Sequence, residues 1–320
     1  SNKVWIIGLK RKNKNIKKQV EKMGFGYAEV RPNVETKITS TFSICQFPTG
    51  MDSAQIFKVN DKIILNQNDC KLDTQQVLNI KNKFPNIDLW LMQFGLAGYY
   101  ANRDDSIGLE QSRLKHINMI EYYFNQFKPK SFVPFSSFIY FCKNYNCFLN
   151  EWQVTIDDLQ EKFKNLPLQV VFYGDELLFQ NDQAQLRNED NISKWKGVFN
   201  KQKDISETNM NTSETDILDA AKKFSNQYIP NAHTPDSFYL KFFDSENYFY
   251  CNLRNKKFSF VEKEKSIDTK VIGCLPREEL LCFFRDPWGA DTLNITSCYD
   301  IIDKKSWKYL LIWKDSFYER

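Results

Sequence analysis

Histidine is almost missing from this chain, with two copies in 320 residues, His116 and His233. A zinc or iron site built on imidazole needs several ring nitrogens converging on one point, which two His far apart in sequence do not supply. His116 reads as a surface or partly buried residue of a helix, His233 as a turn residue, and neither is a ligand candidate. No two cysteines stand at C-x-x-C spacing, which excludes a zinc knuckle. A Gly-x-Ser-x-Gly elbow, a phosphate loop and a dinucleotide glycine fingerprint are all missing. No apolar run approaches the ~18 residues that cross a bilayer, so no membrane span is expected. Charge of one sign is lacking too: 44 basic and 40 acidic residues are mixed along the chain for a net +4. Nucleic acid is therefore not an expected partner.

Aromatic residues are plentiful, with 27 Phe, 15 Tyr and 7 Trp, and 42% of the chain is hydrophobic. That is enough apolar surface for a large and a smaller folded unit. Eight cysteines are scattered without pairing pattern, as expected for reduced thiols in a cytoplasmic protein. The one local run of positive charge, Lys10-Arg11-Lys12-Asn13-Lys14, reads as a phosphate-binding patch or as a solvated turn and helix start.

Apolar spacing predicts a strand at 4–9, a helix at 16–23 closed by Gly24, and strands at 27–30, 39–47, 54–59 and 63–65. A helix over 74–84, a strand over 87–94, a small-residue and aromatic loop over 95–103, a long helix over 108–127 and a strand over 131–135 follow. Such alternation predicts an α/β layered domain over residues 1–180. Residues 181–235 are polar and read as a linker with a short helix near Trp195 and a further helix from Thr215. Four short strands and a helix that starts at Pro276 predict a small α+β domain over 236–320.

The sharpest local feature is Leu65-Asn66-Gln67-Asn68-Asp69-Cys70, at the end of an apolar strand. A carboxylate at such a lip, Asp69, suits binding of a hard cation, or equally the capping of the next turn. Cys70 beside it is either a nucleophile or an inert buried thiol. Gln93, Tyr99, Tyr100, Asn102 and Arg103, with the aromatics of 132–141, could line a pocket for a small-molecule substrate, or be core packing and loop.

Asp52-Ser53-Ala54, Ile64 to Cys70, Gln93-Phe94-Gly95-Leu96-Ala97-Gly98-Tyr99-Tyr100, Lys128-Pro129-Lys130, Val133-Pro134-Phe135 and Tyr173-Gly174-Asp175 together resemble the metallo-β-lactamase superfamily. The match is most similar to the metallo-β-lactamase-like region of the CMP-N-acetylneuraminate hydroxylase (sialic acid hydroxylase) family. More distantly it resembles the ascorbate-6-phosphate lactonase and N-acyl-phosphatidylethanolamine phospholipase D branches. The resemblance implies part of an αββα sandwich with a divalent metal, zinc or iron, and puts Asp69 where family members carry a metal-bridging Asp. The family's His-x-His-x-Asp-His motif has no counterpart here and is expected before Ser1 or in a partner. Hydroxylation in that family also depends on a Rieske cluster held by Cys and His pairs. No Cys-x-His pair occurs, so monooxygenase activity is not expected of this chain alone. Leu280 to Leu293 is similar to the ending of accessory domains that follow such regions, which resemble sterol-carrier-like α+β units.

Two functions follow as expectations. One is a metal-dependent hydrolase or oxidoreductase-related protein whose His ligands come from outside this sequence. The other is a non-catalytic binding or assembly protein that keeps the fold without a complete metal site. Half a sandwich would leave one sheet face bare, so a partner segment or a second copy of the chain is expected to cover it.

Overall fold

A strand, a helix and a strand come first: β1 (Trp5–Leu9), α1 (Asn15–Lys22) and β2 (Gly26–Val30), with β1 and β2 paired in parallel. Gly24, at φ 87°, takes the left-handed turn that stops α1, as the sequence predicts. The computed structural model describes residues 5–9, 15–50, 52–135, 139–164, 167–180, 183–186, 190–201, 212–227, 237–262 and 270–315. The basic run at 10–14 and His233 lie outside the described residues. The fold is mixed α/β, as expected, and divides into two units. The first comprises residues 1–95, 115–138 and 154–198, the second 96–114, 139–153 and 199–320.

In the first unit, β3 (Thr36–Lys37), β4 (Phe42–Thr49), β5 (Asp52–Val59), β6 (Lys62–Asn68), β7 (Leu89–Gln93) and β8 (Ser131–Phe135) form one sheet in that order. Strands β3 to β6 run antiparallel and β6 to β8 parallel. Alternation puts Cys45, Ile56, Leu65, Trp90 and Phe132 side by side in register on one face, each no more than 1% exposed. Burying each larger member contributes about 1.5–3 kcal/mol. The parallel strands need crossovers, and two helices supply them: α2 (Thr74–Lys83) and α3 (Ser106–Phe127). Phe124 and Phe127 of α3 meet the Trp90 ring, which stacks on Phe132 at 4.5 Å. Next to α2, Phe84 packs edge-on to Phe47 of the same sheet face.

The opposite face is covered in part by the chain itself. After α4 (Ile156–Lys162), a hairpin of β9 (Leu177–Gln180) and β10 (Gln183–Leu186) packs Ala184, Leu177 and Phe179 on Leu89, Val133 and Leu91. Strand β10 falls where composition suggested a linker, and α5 (Asn191–Lys201) is the short helix expected near Trp195. Trp195 anchors α5, its indole donating to the Val171 carbonyl at 2.9 Å and its ring meeting Phe172 edge-on. Single bulky anchors of this kind leave little periodicity to read in a polar stretch.

In the second unit, α6 (Glu214–Gln227) is followed by β11 (Phe238–Phe242), β12 (Tyr248–Asn252), β13 (Lys257–Val261), β14 (Val271–Leu275), α7 (Arg277–Arg285), α8 (Gly289–Thr296), β15 (Asp300–Ile301) and α9 (Lys304–Asp315). The sheet order is β13-β12-β11-β14-β15, with only β11 and β14 parallel. Ile217 and Phe224 of α6, Phe283 of α7, Leu293 of α8 and Trp307 of α9 share one core with Leu240 and Phe249. The expected strands and first helix are present, and α8, β15 and α9 extend them. Ala101, Leu109, Phe141 and Leu149 make a smaller cluster, so segments 96–114 and 139–153 belong to this unit. Among the described residues no helix is long and apolar enough to cross a membrane.

Candidate functional site

The end of β6 is shaped by a bulge. Register against β7 slips between Asn66 and Asn68, and Asn68 takes φ 55°. The extra residue, Gln67, is fully buried: its amide donates to the Cys70 carbonyl at 3.0 Å, and its oxygen accepts from the Trp90 indole at 3.0 Å. That pairing satisfies a polar side chain that burial would otherwise penalise by about 1–3 kcal/mol. It also fixes the turn that presents Asp69.

Asp69 is exposed and makes no hydrogen bond or ion pair among the described residues. The cap of α2 is Asp73, which accepts from the Gln76 amide at 2.8 Å and receives a return bond from the Gln76 side chain. Capping therefore does not account for Asp69. Cys70 is 3% exposed, and burial pushes its thiol up. A hydrogen bond with Thr49 offsets part of that rise, while Asp69 and Asp52 add to it. A thiol held protonated is a poor nucleophile. On α3, the His116 ring bonds the main chain of Phe94, while its buried Nε2 has no partner. Burial, then the charge of Lys71, lowers its titration from 6.5 to about 4, so the imidazole is neutral at physiological pH. Among the described residues no three His, Cys, Asp or Glu side chains converge as a metal site would require.

The residues predicted to bind substrate separate. Gln93 closes β7 in the first unit, half-buried and in register with Phe135. Tyr99, Tyr100, Asn102 and Arg103 lie in the second. There Asn102 acts as an extra strand partner: its amide donates to the Ile301 carbonyl at 2.9 Å and its oxygen accepts the Ile301 N–H at 2.7 Å. Tyr99 donates to the same oxygen at 2.5 Å and stacks on Tyr299 at 4.7 Å. Burial, with the nearby Asp300 carboxylate, pushes its hydroxyl up to about 12. The Tyr100 hydroxyl, raised to about 12 by burial, donates to the Ala97 carbonyl at 2.8 Å. Arg103 donates its main-chain N–H and its Nε to the two Asp300 oxygens at 3.0 and 3.1 Å, with its guanidinium 4.0 Å over the Phe243 ring.

Beside this latch the second unit carries a cleft of about 750 Å³, lined among others by Asn102, Asp104, Lys241, Asp244, Glu246 and Asp300. Arg103 neutralises Asp300, and Arg277 holds Asp244 at 3.3 Å. Asp104, Glu246 and Lys241 make no ion pair among the described residues. A polar cleft of this size suits a small molecule rich in hydrogen-bond donors. Only Asn102 of its lining was legible in sequence: Asp104 lies just past the loop read there, and the others come from β11 and the turn after it, β12, β14 and the region of β15, elements with no shared motif. Comparison of the chain with protein-family models and with curated proteins finds no match.

Proposed function

We propose that this chain is a non-catalytic binding or assembly protein related to the metallo-β-lactamase superfamily, with a small-molecule site in its second unit. The observation that carries the reading is the state of Tyr99, Asn102 and Arg103. Asn102 lines the cleft with its polar groups bonded to Tyr99 and the Ile301 main chain, and Arg103 is bonded to the lining Asp300, so the three support a preformed wall rather than act as an acid, base or nucleophile. The sandwich relationship is supported by a meander that leads into parallel strands with α2 and α3 against one face. A cytoplasmic location is supported by eight free cysteines. The residues present do not by themselves fit a zinc or iron ion, since Asp69 has no converging partners among the described residues.

A second reading, a metal-dependent hydrolase or oxidoreductase completed from outside this sequence, is favoured by one observation. The unpartnered Nε2 of His116 sits near Phe94, just past the end of β7, at the same sheet edge as Asp69. Metal content separates the two. Full-length chain dialysed against zinc or ferrous iron should retain well below one equivalent by mass spectrometry, unchanged in Asp69→Ala. Stoichiometric metal that Asp69→Ala loses would overturn the binding reading in favour of the second.

A further inference from the structure

We infer that a cavity at the opposite end of the six-stranded sheet from Asp69 binds a small molecule carrying a phosphate group. This goes beyond the reading above and does not depend on it. The cavity, about 470 Å³, lies where β4 begins and β5 ends. Strand β5 runs antiparallel to β6, so this end lies roughly 23 Å from the Asp69 lip at ~3.3 Å per residue.

Its floor is a cross-strand row: Lys37 pairs with Ser43, and Ser43 with Lys58. Neighbours in such a row have Cβ atoms about 5 Å apart, so two flexible ammonium groups flank one hydroxyl within reach of a single ligand. Lysine on an edge strand deters sheet-to-sheet aggregation, which accounts for Lys37 on β3. It does not account for Lys58, half-buried on β5 between two paired strands. Neither lysine has a hydrogen bond or ion pair among the described residues. The carboxylate in the cavity, Glu35, instead accepts from the Ser43 hydroxyl at 2.6 Å. Thr39 and Thr41 add two hydroxyls, 3.4 Å apart.

Two ammonium groups against one carboxylate leave the cavity positive. A phosphate monoester carries about −1.5 to −2 at pH 7 and offers several acceptor oxygens, matching two cations and a rim of hydroxyl donors better than a singly charged carboxylate does. Glu35 would accept from a hydroxyl elsewhere on the ligand.

Calorimetric titration of the full chain with inorganic phosphate, glycerol phosphate and glycerol tests this. Both phosphates should bind saturably at one site and glycerol should not. Lys37→Gln and Lys58→Gln should each weaken binding about tenfold, the loss of one charge-assisted contact. Lys304→Gln, exposed on α9, should leave it unchanged. Amide shifts on adding glycerol phosphate to the wild type should centre on residues 37–43 and 58–60, a readout independent of how the variants fold. Absence of saturable binding, wild-type affinity in both lysine variants, or shifts centred elsewhere would each overturn the inference.

Discussion

The side chain of Asn102 and the main chain of Ile301 exchange two hydrogen bonds, at 2.9 and 2.7 Å, although 199 residues separate them in sequence. A carboxamide is the one short side chain with donor and acceptor placed to imitate a strand neighbour. Asn102→Ala should destabilise the second unit by about 2–4 kcal/mol, because two main-chain groups lose their partners at once. Asn102→Asp keeps the acceptor and loses the donor, so it should cost less than Asn102→Ala in urea unfolding at neutral pH. Equal stability of Asn102→Ala and wild type would show that β15 holds without this latch.

Gly273, on β14, touches the face of an indole. A Cβ there would collide with the Trp307 ring and approach the Asp300 carbonyl at 3.0 Å. Trp307 is 1% exposed in a filled core and has nowhere to retreat. Gly273→Ala should therefore cost about 1–3 kcal/mol as overpacking. Gly197, with nothing near its missing Cβ and a place inside α5, is the contrasting site. There Gly→Ala should stabilise by about 0.5–1 kcal/mol through helix propensity. Thermal melts of the two variants should move in opposite directions.

These contacts mark the limit of what was legible in the sequence. The strands that carry the row from Cys45 to Phe132 were readable, because a short run of large apolar residues is a local signal and turns and glycine marked some of their ends. The course of residues 95–103 was not. Tyr99, Asn102 and Arg103 follow a strand end directly, so proximity in sequence suggested a pocket opposite Asp69, whereas their partners Tyr299, Ile301 and Asp300 are far along the chain. A two-residue strand such as β15 has no period to detect. Asp69 was evenly balanced between a capping and a ligand role for the same reason. The choice of Asp73 as cap depends on where α2 starts, and helix boundaries are poorly fixed by pattern alone.

Lys143 holds two buried carboxylates, Glu278 at 2.8 Å and Glu279 at 2.5 Å. Burial alone would lower the ammonium, but hydrogen bonds to Glu278 and Glu279 more than offset that and raise it above its ordinary value. The stabilisation is complete below the unfolded value near 10.4 and is lost only as pH rises through the folded one. Across pH 6 to 9 it should thus be constant. Lys143→Met removes the ammonium that two adjacent carboxylates, 7% and 4% exposed, share, and should cost about 3–5 kcal/mol. Adding Glu278→Gln and Glu279→Gln should recover part of that loss. A triple variant no more stable than Lys143→Met would show that geometry, not charge, holds this contact.

His116 gives the first unit an acid limit. Its titration falls from 6.5 to about 4, through burial first and the nearby Lys71 charge second. Between those values the unfolded chain binds a proton that the folded chain refuses, so stability from this group is complete above pH 6.5 and declines as pH falls toward 4. The shift corresponds to roughly 3 kcal/mol at most. His116→Gln keeps a side chain able to donate to the Phe94 main chain but cannot take up the charge. Urea unfolding of wild type and His116→Gln should therefore give stabilities that differ with pH only below about 6.5, the wild type losing more on acidification. Parallel curves down to pH 4 would mean the ring is protonated inside the fold. An imidazolium there would also remove the lone pair on Nε2, and with it the observation that favours a metal-dependent reading for this edge of the sheet.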